Sequence, residues 1–452
     1  MHNNLTELNL SQLSNLLLRR KLSSVELTNS LLGHIEQIEP ELGAFARITS
    51  KKALEQAEQS DKTRNTAANP SKLNGIPYGL KDIFDTKGIL TEAGSEIYKG
   101  RIPEANAHVV DLLEGNGAVL LGKTVTTEFA DGHPPTTKNP WNALYTPGGS
   151  STGSAVAVAT RMLPYALGTQ TVGSVLRPAA YNGIVGFKPT FGLVSRTGVI
   201  PQSQSCDTVG ILCKCASDAW IILKSIAGFD PRDEQSSVKA SSFDSHDEVI
   251  LNNSAPRIGF LKDYFLEESE QQVKKATLTA IESLAKNGAF VEQAIIDIDF
   301  PSGYKAHRVV QQSEMAEWHE PLFNKYAHMY KKITLEYIRS GFQHTAINYI
   351  QAIKTKTEMQ HAALKTLSSF DVLITPTASG LPPSDLRRTG DTRFQSPWSF
   401  TGFPSIALPA GLSDEGLPLS IQLVGRPFQE KKLLGVAQWV ESILGGLPNP
   451  IS

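Results

Sequence analysis

The 452-residue chain is 40% hydrophobic and 19% charged, and its 43 basic and 45 acidic side chains give a formal net charge of -2. This balance excludes a general electrostatic attraction for nucleic acid or for an anionic membrane, and it is typical of a soluble globular protein. The three cysteines, Cys206, Cys213 and Cys215, favour a reducing compartment, and no apolar run reaches the roughly 18 residues of a membrane helix. We therefore expect a cytoplasmic protein without a membrane span.

The N-terminal region is predicted to be helical. Apolar residues recur at helical spacing over residues 8–38. Within this stretch Ser23 and Glu26 form the capping box that begins a second helix, and Pro40 is expected to end that helix. A further helix and a polar connection follow, at residues 51–61 and 63–74.

The next region combines buried strands with two glycine-rich and hydroxyl-rich loops. Apolar strands are predicted within residues 75–84 and 115–123. The loops lie at residues 148–154 and 168–173, and the small apolar residues at 155–159 suit a buried helix. Helices that alternate with apolar strands imply a mixed α/β sheet.

The second half of the chain is predicted to leave this sheet and return to it. A polar, mobile connection at 230–253 precedes a helical stretch at 304–366. The other predicted elements are strands at 257–261, 290–296, 371–377, 405–409 and 419–425, and helices at 267–287 and 430–444. We expect one large α/β domain, 1–452, with a central mixed, twisted β-sheet covered by helices on both faces. Its parts are N-terminal helices (1–62), a catalytic core (63–229), a mobile connection with a helical substrate-side region (230–370) and a return to the core sheet (371–452).

Three short motifs suggest alternative chemistry, and each lacks a feature that its chemistry needs. Residues 149–153 match the G-x-S-x-G elbow, but Pro147 and Gly148 occupy the positions of the preceding strand. The loop at 168–174 has the glycine spacing of a phosphate loop without the lysine that must follow the second glycine. Residues 236–239 match S-x-x-K but lie in the polar connection, where so short a match is expected by chance.

The two serine loops acquire a different meaning together with Lys81. Ser150 lies 69 residues after Lys81, and Ser174 lies 24 residues after Ser150. With this spacing the chain resembles the amidase signature family. The matching segments extend from the early helices almost to the C-terminal end, at residues 75–82, 139–142, 147–154, 167–174, 183–190, 205–210, 371–377 and 402–426.

The resemblance implies a Ser-cisSer-Lys triad that hydrolyses amides. Ser174 is the expected nucleophile, Ser150 the bridging serine after a cis peptide bond, and Lys81 the base. The resemblance also implies an oxyanion hole formed by the backbone N–H groups of Thr171, Val172, Gly173 and Ser174. It implies that the side chains of Ser151 and Ser154 support the triad. Neither a metal ion nor an organic cofactor is expected.

The chemistry of the residues agrees with these roles. A serine hydroxyl is a weak nucleophile until a neighbouring base removes its proton. A lysine is such a base only when it is uncharged, which requires burial or a nearby positive charge to lower its pKa. Apolar neighbours predict that Lys81 is buried; they are Ile76, Leu80, Ile83 and Phe84.

Several positions near the expected nucleophile depart from the family pattern. Gln170 stands where an acidic residue is common, Leu176 where an arginine is common, and Val172 and Thr152 where small residues are usual. We expect neutral contacts in place of an ion pair between these positions, and a changed pocket shape. Arg177 is adjacent to Leu176 in the sequence. Because the expected oxyanion donors are backbone groups, catalysis is expected to be retained.

Two enzymatic functions and one binding function compete. The expected function is a stand-alone amidohydrolase that cleaves a carboxylic amide C–N bond through an acyl-enzyme on Ser174. The alternative is the glutaminase (A-type) subunit of a tRNA-dependent amidotransferase, which belongs to the same family and needs partner chains. The departures around Ser174 and the aromatic residues at 304–330 favour the stand-alone enzyme. A binding protein without catalysis is disfavoured, because Lys81, Ser150 and Ser174 are all present.

The substrate contacts are the least specified part of the site. Trp398 and Phe400 either form an apolar acyl pocket or pack in the core, and His307 either contacts a polar substrate or lies at the surface. The expected partner is a small-molecule amide, with no nucleic acid and no membrane. A homodimer is compatible with the sequence.

Overall fold

The computed structural model describes residues 5–64, 70–243 and 255–451. The first four residues, and the parts of the two predicted polar connections at 65–69 and 244–253, lie outside the described residues. Within the described ranges the chain forms thirteen α-helices and one eleven-stranded sheet.

Helices and strands alternate along most of the chain. The helices are α1 (Leu10–Leu18), α2 (Ser24–Leu42), α3 (Ser50–Arg64), α4 (His108–Gly115), α5 (Thr152–Ala159), α6 (Leu176–Asn182), α7 (Ala216–Ile226), α8 (Gln271–Lys286), α9 (Phe300–Tyr326), α10 (Lys332–Gln343), α11 (Ala346–Thr366), α12 (Ser396–Phe400) and α13 (Glu430–Leu444). The strands are β1 (Phe45–Ile48), β2 (Pro77–Lys81), β3 (Val119–Thr124), β4 (Tyr165–Gln170), β5 (Val185–Lys188), β6 (Thr208–Cys213), β7 (Arg257–Leu261), β8 (Phe290–Ala294), β9 (Val372–Pro376), β10 (Ser405–Leu412) and β11 (Pro418–Val424). Both halves of the chain therefore contribute strands to the same sheet.

The sheet is mixed, with the strand order β1-β3-β2-β4-β6-β5-β10-β11-β9-β7-β8. β2 runs parallel to β3 and β4, and β7 runs parallel to β8 and β9. The pairs formed by β5, β6, β10 and β11 are antiparallel. Helices pack on both faces, so the predicted mixed α/β sheet is confirmed.

The N-terminal helices follow the predicted pattern with one correction. Ser23 Oγ accepts the N–H of Glu26, and the Glu26 carboxylate accepts the N–H of Ser23, so the capping box is present at the start of α2. The predicted end at Pro40 is wrong, because α2 continues to Leu42 and ends at Gly43, whose φ is +64°. The proline removes one N–H donor in the last turn, but the chain leaves the helix only at the left-handed glycine.

The strands that carry the site are buried along their whole length. Every residue of β2, β3 and β4 is buried. Leu80 on β2 lies opposite Leu167 on the parallel strand β4. Parallel strands end at the same edge of a sheet, so this edge receives Lys81 from β2 and both Thr169 and Gln170 from β4.

Helix α5 packs unusually close to its neighbours. All eight of its residues are buried. A Cβ added at Gly153 would lie 2.0 Å from the Ala44 carbonyl oxygen and 2.4 Å from the Val125 nitrogen. The Gly153 N–H donates to the Val125 carbonyl at 3.0 Å. The small residues that follow the first serine loop therefore allow α5 to reach the sheet.

The described part of the polar connection, residues 230–243, is held against the core. The Asp230 carboxylate accepts the hydroxyl of Ser195 at 2.6 Å. Asp233 accepts the N–H of Arg196 at 2.8 Å and pairs with the guanidinium of the same residue at 3.0 Å. These contacts attach residues 230–233 to the loop that precedes β6.

Gly153→Ala is expected to destabilise the protein, whereas Gly33→Ala is expected to stabilise it slightly. At Gly153 the added methyl group meets backbone atoms of two other segments, and overpacking of this kind costs at least about 1–3 kcal/mol. At Gly33, inside α2, nothing lies within 4 Å of the added Cβ, and the helix propensity of alanine favours folding by up to about 1 kcal/mol. Thermal unfolding of both variants measures the difference. An unchanged midpoint for Gly153→Ala would contradict the close packing of α5.

Candidate active site

Lys81, Ser150 and Thr169 form a hydrogen-bonded cluster at the shared edge of β2 and β4. Lys81 Nζ lies 2.7 Å from Ser150 Oγ and 2.9 Å from Thr169 Oγ1. Lys81 is fully buried, and Ser150 is 2% exposed. The two groups bonded to the amine are therefore neutral hydroxyls rather than carboxylates.

The environment of Lys81 favours its uncharged form. Burial lowers the pKa of Lys81 to about 7, and the negative charge of Asp207 opposes this shift only in part. The Asp207 carboxylate accepts other donors, namely the Thr171 hydroxyl at 2.5 Å and the backbone N–H groups of Gln202 and Ser203. A substantial share of Lys81 is consequently uncharged near neutral pH and able to accept a proton.

The second serine loop brings Ser174 to the same place. The peptide bond between Gly149 and Ser150 is cis, as the resemblance implies. The Ser151 N–H donates to the Ser174 carbonyl at 3.2 Å, which joins the two loops. Ser150 and Ser174 both line one cavity. Ser150 and Ser174 therefore share one cavity, and Lys81, which does not line it, reaches it through its contact with Ser150.

Ser151 and Ser154, the predicted supporting residues, attach α5 to the sheet. Ser151 Oγ donates to the carbonyl of Thr169 and accepts its N–H, both at 3.2 Å. Ser154 Oγ lies 2.6 Å from Thr124 Oγ1 and donates to the Leu167 carbonyl at 3.2 Å. These bonds fix the first serine loop relative to β3 and β4.

Gln170 makes neutral contacts at the position where an acidic residue was expected from the family pattern. Its Oε1 accepts the N–H groups of Val175, at 2.8 Å, and Leu176, at 2.9 Å. Its Nε2 donates to Ser399 Oγ at 2.8 Å, and that hydroxyl donates to the Val172 carbonyl at 2.7 Å. One neutral amide therefore caps the start of α6 and fixes the preceding segment.

Arg177 holds two segments that border the cavity. Its side chain is buried, and Nη2 donates to the Gly149 carbonyl at 2.6 Å. Nη1 donates to the Gly390 carbonyl. Burial lowers the pKa of Arg177, but a guanidinium stays charged in proteins. Arg177 therefore supports the peptide before Ser150 and places a positive charge in the cavity wall.

The cavity at Ser174 has a volume of about 320 Å³ and a strongly charged wall. Four arginines and two aspartates line it, and they are Arg177, Arg308, Arg387, Arg388, Asp131 and Asp391. The remaining lining residues are Ala130, Gly132, Ser150, Val172, Ser174, Gln202, Tyr304, Gln311, Ile333, Tyr337, Thr389, Gly390 and Thr392. The excess of basic side chains favours a ligand that carries a negative charge. Among the described residues, no group of three or more His, Cys, Asp or Glu side chains is arranged to hold a metal ion.

The three predicted substrate contacts lie behind the cavity wall. Trp398 stacks on Phe265 with ring centroids 6.1 Å apart, and Phe400 stacks on His307 at 4.8 Å. His307 Nδ1 lies 2.8 Å from Ser396 Oγ, and burial lowers the pKa of His307 to about 3. Trp398 is 1% exposed, and Phe400 and His307 are 0% exposed. Their placement is that of core residues around α12.

Sequence reasoning missed three polar residues of the site. Thr169 had a signal, because it is a hydroxyl residue inside the second glycine-rich loop, at residues 168–173. Asp131 and Arg308 had none, because they lie far apart in the sequence on a turn and on a long helix. Only the fold brings those two residues to one cavity.

The family model described as Amidase matches residues 26–434. The chain belongs to the amidase family. It is therefore an enzyme that acts on amide C–N bonds. Among solved structures, the peptide amidase of Stenotrophomonas maltophilia has a TM-score of 0.83 and 28% identity, covering 98% of both chains. A chain from a vestigial protein complex that reveals the evolutionary origins of an s-triazine catabolic enzyme has a TM-score of 0.89 and 26% identity, covering 98% of this chain and 100% of that chain.

A relative within the amidase family corrects the expectation about partners. The A-type subunit of the glutamyl-tRNA(Gln) amidotransferase of Geotalea daltonii is 35% identical over 97% of both chains. Its name describes one subunit of an enzyme that acts on a tRNA, so the expectation of only a small-molecule partner and no nucleic acid is wrong. The net charge of -2 describes the whole chain, and it does not report on local patches or on further subunits. In the described ranges, no helix has both the length and the apolar character needed to cross a bilayer.

Lys81→Met is expected to remove a pH dependence of stability. The pKa of Lys81 is about 7 in the folded chain, against 10.5 for an ordinary lysine. Between these values the unfolded chain binds more protons than the folded chain, so the contribution of Lys81 to stability rises with pH. At or below about pH 7 the buried amine costs on the order of 4 kcal/mol, and methionine avoids this cost.

Urea unfolding of both proteins at about pH 7 and about pH 10 measures this effect. The stability of Lys81→Met relative to wild type should fall by on the order of 4 kcal/mol over that interval. Lys332→Met is the control, because it removes a lysine whose side chain is 86% exposed. The difference between its free energy of unfolding and that of wild type should be the same at both pH values. A constant difference for Lys81→Met as well would contradict an uncharged amine at this position.

Proposed function

We propose that the chain is the glutaminase subunit of a tRNA-dependent amidotransferase and hydrolyses the side-chain amide of glutamine through an acyl-enzyme on Ser174. The observation that carries the proposal is the buried 2.7 Å contact between Lys81 Nζ and Ser150 Oγ, in the cleft that also holds Ser174. The amidotransferase relative from Geotalea daltonii, 35% identical over 97% of both chains, supports this substrate and assembly.

The reaction begins with proton transfer through Ser150. Because its pKa is about 7, Lys81 is often uncharged at neutral pH and takes the proton of the Ser150 hydroxyl. Thr169 Oγ1, at 2.9 Å, accepts one N–H of the amine, which leaves the nitrogen lone pair for Ser150. Ser150 in turn takes the proton of Ser174, whose oxygen attacks the amide carbon.

The negative charge that develops on the carbonyl oxygen is stabilised by backbone N–H groups. The donors are those of Thr171, Val172, Gly173 and Ser174, between the end of β4 and the start of α6. Loss of one such donor typically raises the barrier by about 3 kcal/mol. Lys81 then returns a proton through Ser150 to the leaving nitrogen, which departs as ammonia. Water hydrolyses the acyl-enzyme by the same proton route.

The cavity supports a small substrate with a carboxylate. Its volume of about 320 Å³ is at the lower end of ordinary ligand sites. Arg308 is oriented in the wall by Gln311 Oε1, at 3.0 Å, and by the Tyr337 hydroxyl. A guanidinium matches the geometry of a carboxylate. Glutamine meets these requirements, because its carboxylate lies at the end opposite the reacting amide.

The amidotransferase relative reverses the ranking suggested by the sequence. The departures at Gln170, Val172 and Leu176 favoured a stand-alone enzyme. Gln170, however, caps α6 through two N–H groups without an ion pair. The departures therefore do not argue against a glutaminase.

A stand-alone amidohydrolase is the second candidate. It is favoured by the 28% identity with the peptide amidase of Stenotrophomonas maltophilia, which covers 98% of both chains. Both candidates use the same chemistry at Ser174 and differ in the need for further subunits.

A cytoplasmic location accompanies either candidate. Cys206, Cys213 and Cys215 are free thiols in the structure. Free thiols that remain unpaired are typical of a reducing compartment.

Release of glutamate from L-glutamine is expected to require both Ser174 and the partner subunits. The chain is purified alone and together with the other amidotransferase subunits of the same organism, and glutamate is measured. The assembly should release glutamate severalfold faster than the chain alone. Ser174→Ala should reduce the rate of the assembly by about 10³-fold or more, because the nucleophile is lost.

The controls separate loss of chemistry from loss of folding. Ser174→Ala should keep the thermal midpoint of the wild type. Ser340→Ala, which removes a hydroxyl on α10 that bonds to the Glu336 carbonyl, should keep the rate. Hydrolysis of simple amides by the chain alone, with no glutamate release by the assembly, would contradict the proposal and favour the stand-alone enzyme.

A further inference from the structure

The cavity contains a buried carboxylate oxygen without a donor. Asp131 is 3% exposed and lines the cavity together with Ser150 and Ser174. Its Oδ2 has no hydrogen-bond partner among the described residues. Its Oδ1 has a long contact, 3.5 Å, from Gln202 Nε2, and the neighbouring Gly132 N–H also interacts with the carboxylate. A buried carboxylate oxygen without a donor costs free energy of folding, so a donor from a bound ligand is the natural complement.

The backbone before Asp131 is held in an uncommon conformation. Phe129 and Ala130 have φ values of +47° and +62°, in the left-handed region that non-glycine residues rarely adopt. The Phe129 N–H donates to the Ala93 carbonyl at 2.8 Å, and the Asp131 N–H donates to the Glu128 carbonyl at 2.9 Å. The surrounding structure therefore fixes the place of Asp131 on the cavity wall.

The nearby cation does not neutralise this carboxylate by direct bonding. Arg308 donates instead to Gln311 Oε1 and to the Tyr337 hydroxyl, and its guanidinium lies 4.4 Å from the centre of the Tyr337 ring. Both of its partners are neutral, so Arg308 keeps its charge for a ligand. The other lining aspartate, Asp391, is already bonded to the backbone N–H and guanidinium of Arg393.

The electrostatics of Asp131 agree with a cationic ligand group. Burial raises the pKa of Asp131 to about 7, and the Gly132 N–H and the charge of Arg308 lower it by less. A positive group bonded to Oδ2 would favour the ionised carboxylate. The cavity thus presents the anion of Asp131 and the cation of Arg308 to the same small molecule.

We propose that Asp131 is a specificity-determining residue that accepts the N–H groups of a primary ammonium on the substrate, at the end away from the reacting amide. Arg308 receives the substrate carboxylate. The substrate class is then an amide that carries both charges, as an amino acid does. The choice of L-glutamine as the substrate from this class rests on the proposed function. The role of Asp131 rests on the geometry of the cavity.

The test uses pairs of amides that differ by the amino group. The full-length chain, assembled with the other amidotransferase subunits, is labelled at Ser174 with a fluorophosphonate, and each amide is scored by the concentration that halves the labelling rate. The pairs are L-glutamine with 4-carbamoylbutanoate, and β-alaninamide with propionamide. In wild type the amide with the amino group should halve the labelling rate at a concentration about 10- to 100-fold lower than its partner without the amino group. This is the expected effect of one charged hydrogen bond.

For each pair, the ratio of the two concentrations that halve the labelling rate measures the preference for the amino group. Asp131→Asn should bring this ratio close to one, because the side chain keeps its shape but loses its negative charge. Asp85→Asn is the matched control, since it makes the same change at a carboxylate that Arg101 already occupies and that does not line the cavity, and the wild-type ratio should remain. The thermal midpoint of Asp131→Asn should equal or exceed that of wild type, because a buried charge without a donor is removed. A merely structural role for Asp131 would lower the midpoint.

The possible results separate this inference from the proposed function. A ratio near one in wild type, or a wild-type ratio retained by Asp131→Asn, would overturn the role of Asp131 while leaving glutamine hydrolysis intact. If β-alaninamide is preferred through Asp131 but L-glutamine gives no protection, the role of Asp131 stands and the glutaminase function fails.

Discussion

The site depends on keeping the amine of Lys81 away from water and from carboxylates at the edge where β2 and β4 end. Its bonded neighbours are the hydroxyls of Ser150 and Thr169. Lys123 on the adjacent strand β3 is equally buried, but the carboxylate of Asp82 lies 3.5 Å from its Nζ. These two of the buried lysines of the sheet therefore have different environments. The one surrounded by neutral groups is suited to accept a proton, and the one beside a carboxylate is suited to a structural ion pair.

The fold was predictable where its cause is local in the sequence. The capping box of Ser23 and Glu26 and the apolar strand Arg257–Leu261 occur where the sequence predicts them. Strand β1 was missed, because its four residues have no distinct pattern and become a strand by pairing with β3. Helix α12 was missed for a similar reason. It has five residues, includes Pro397 and is buried throughout, so tertiary packing rather than helix propensity determines it.

For the site, the sequence indicated only the residues that are expected to react. The spacing of Lys81, Ser150 and Ser174 indicated these residues through the family resemblance, and in the structure Lys81 contacts Ser150, which lines one cavity with Ser174. The charged wall was not predictable, since Asp131 and Arg308 come from distant segments that only the fold brings together. Aromatic residues before the last strands have the same sequence pattern whether they line a cavity or pack behind it. The site thus joins a neutral, buried hydrogen-bonded cluster to a charged cavity wall.

Direct titration of the Lys81 amine tests the central claim. In protein labelled with ¹³C at the lysine Cε carbons, the resonance that disappears in Lys81→Met belongs to this residue, and its shift is followed with pH by NMR. We expect a midpoint at about pH 7, because burial opposes the charged form and neutral hydroxyls surround it. A midpoint near the 10.5 of an ordinary lysine would contradict Lys81 as the base.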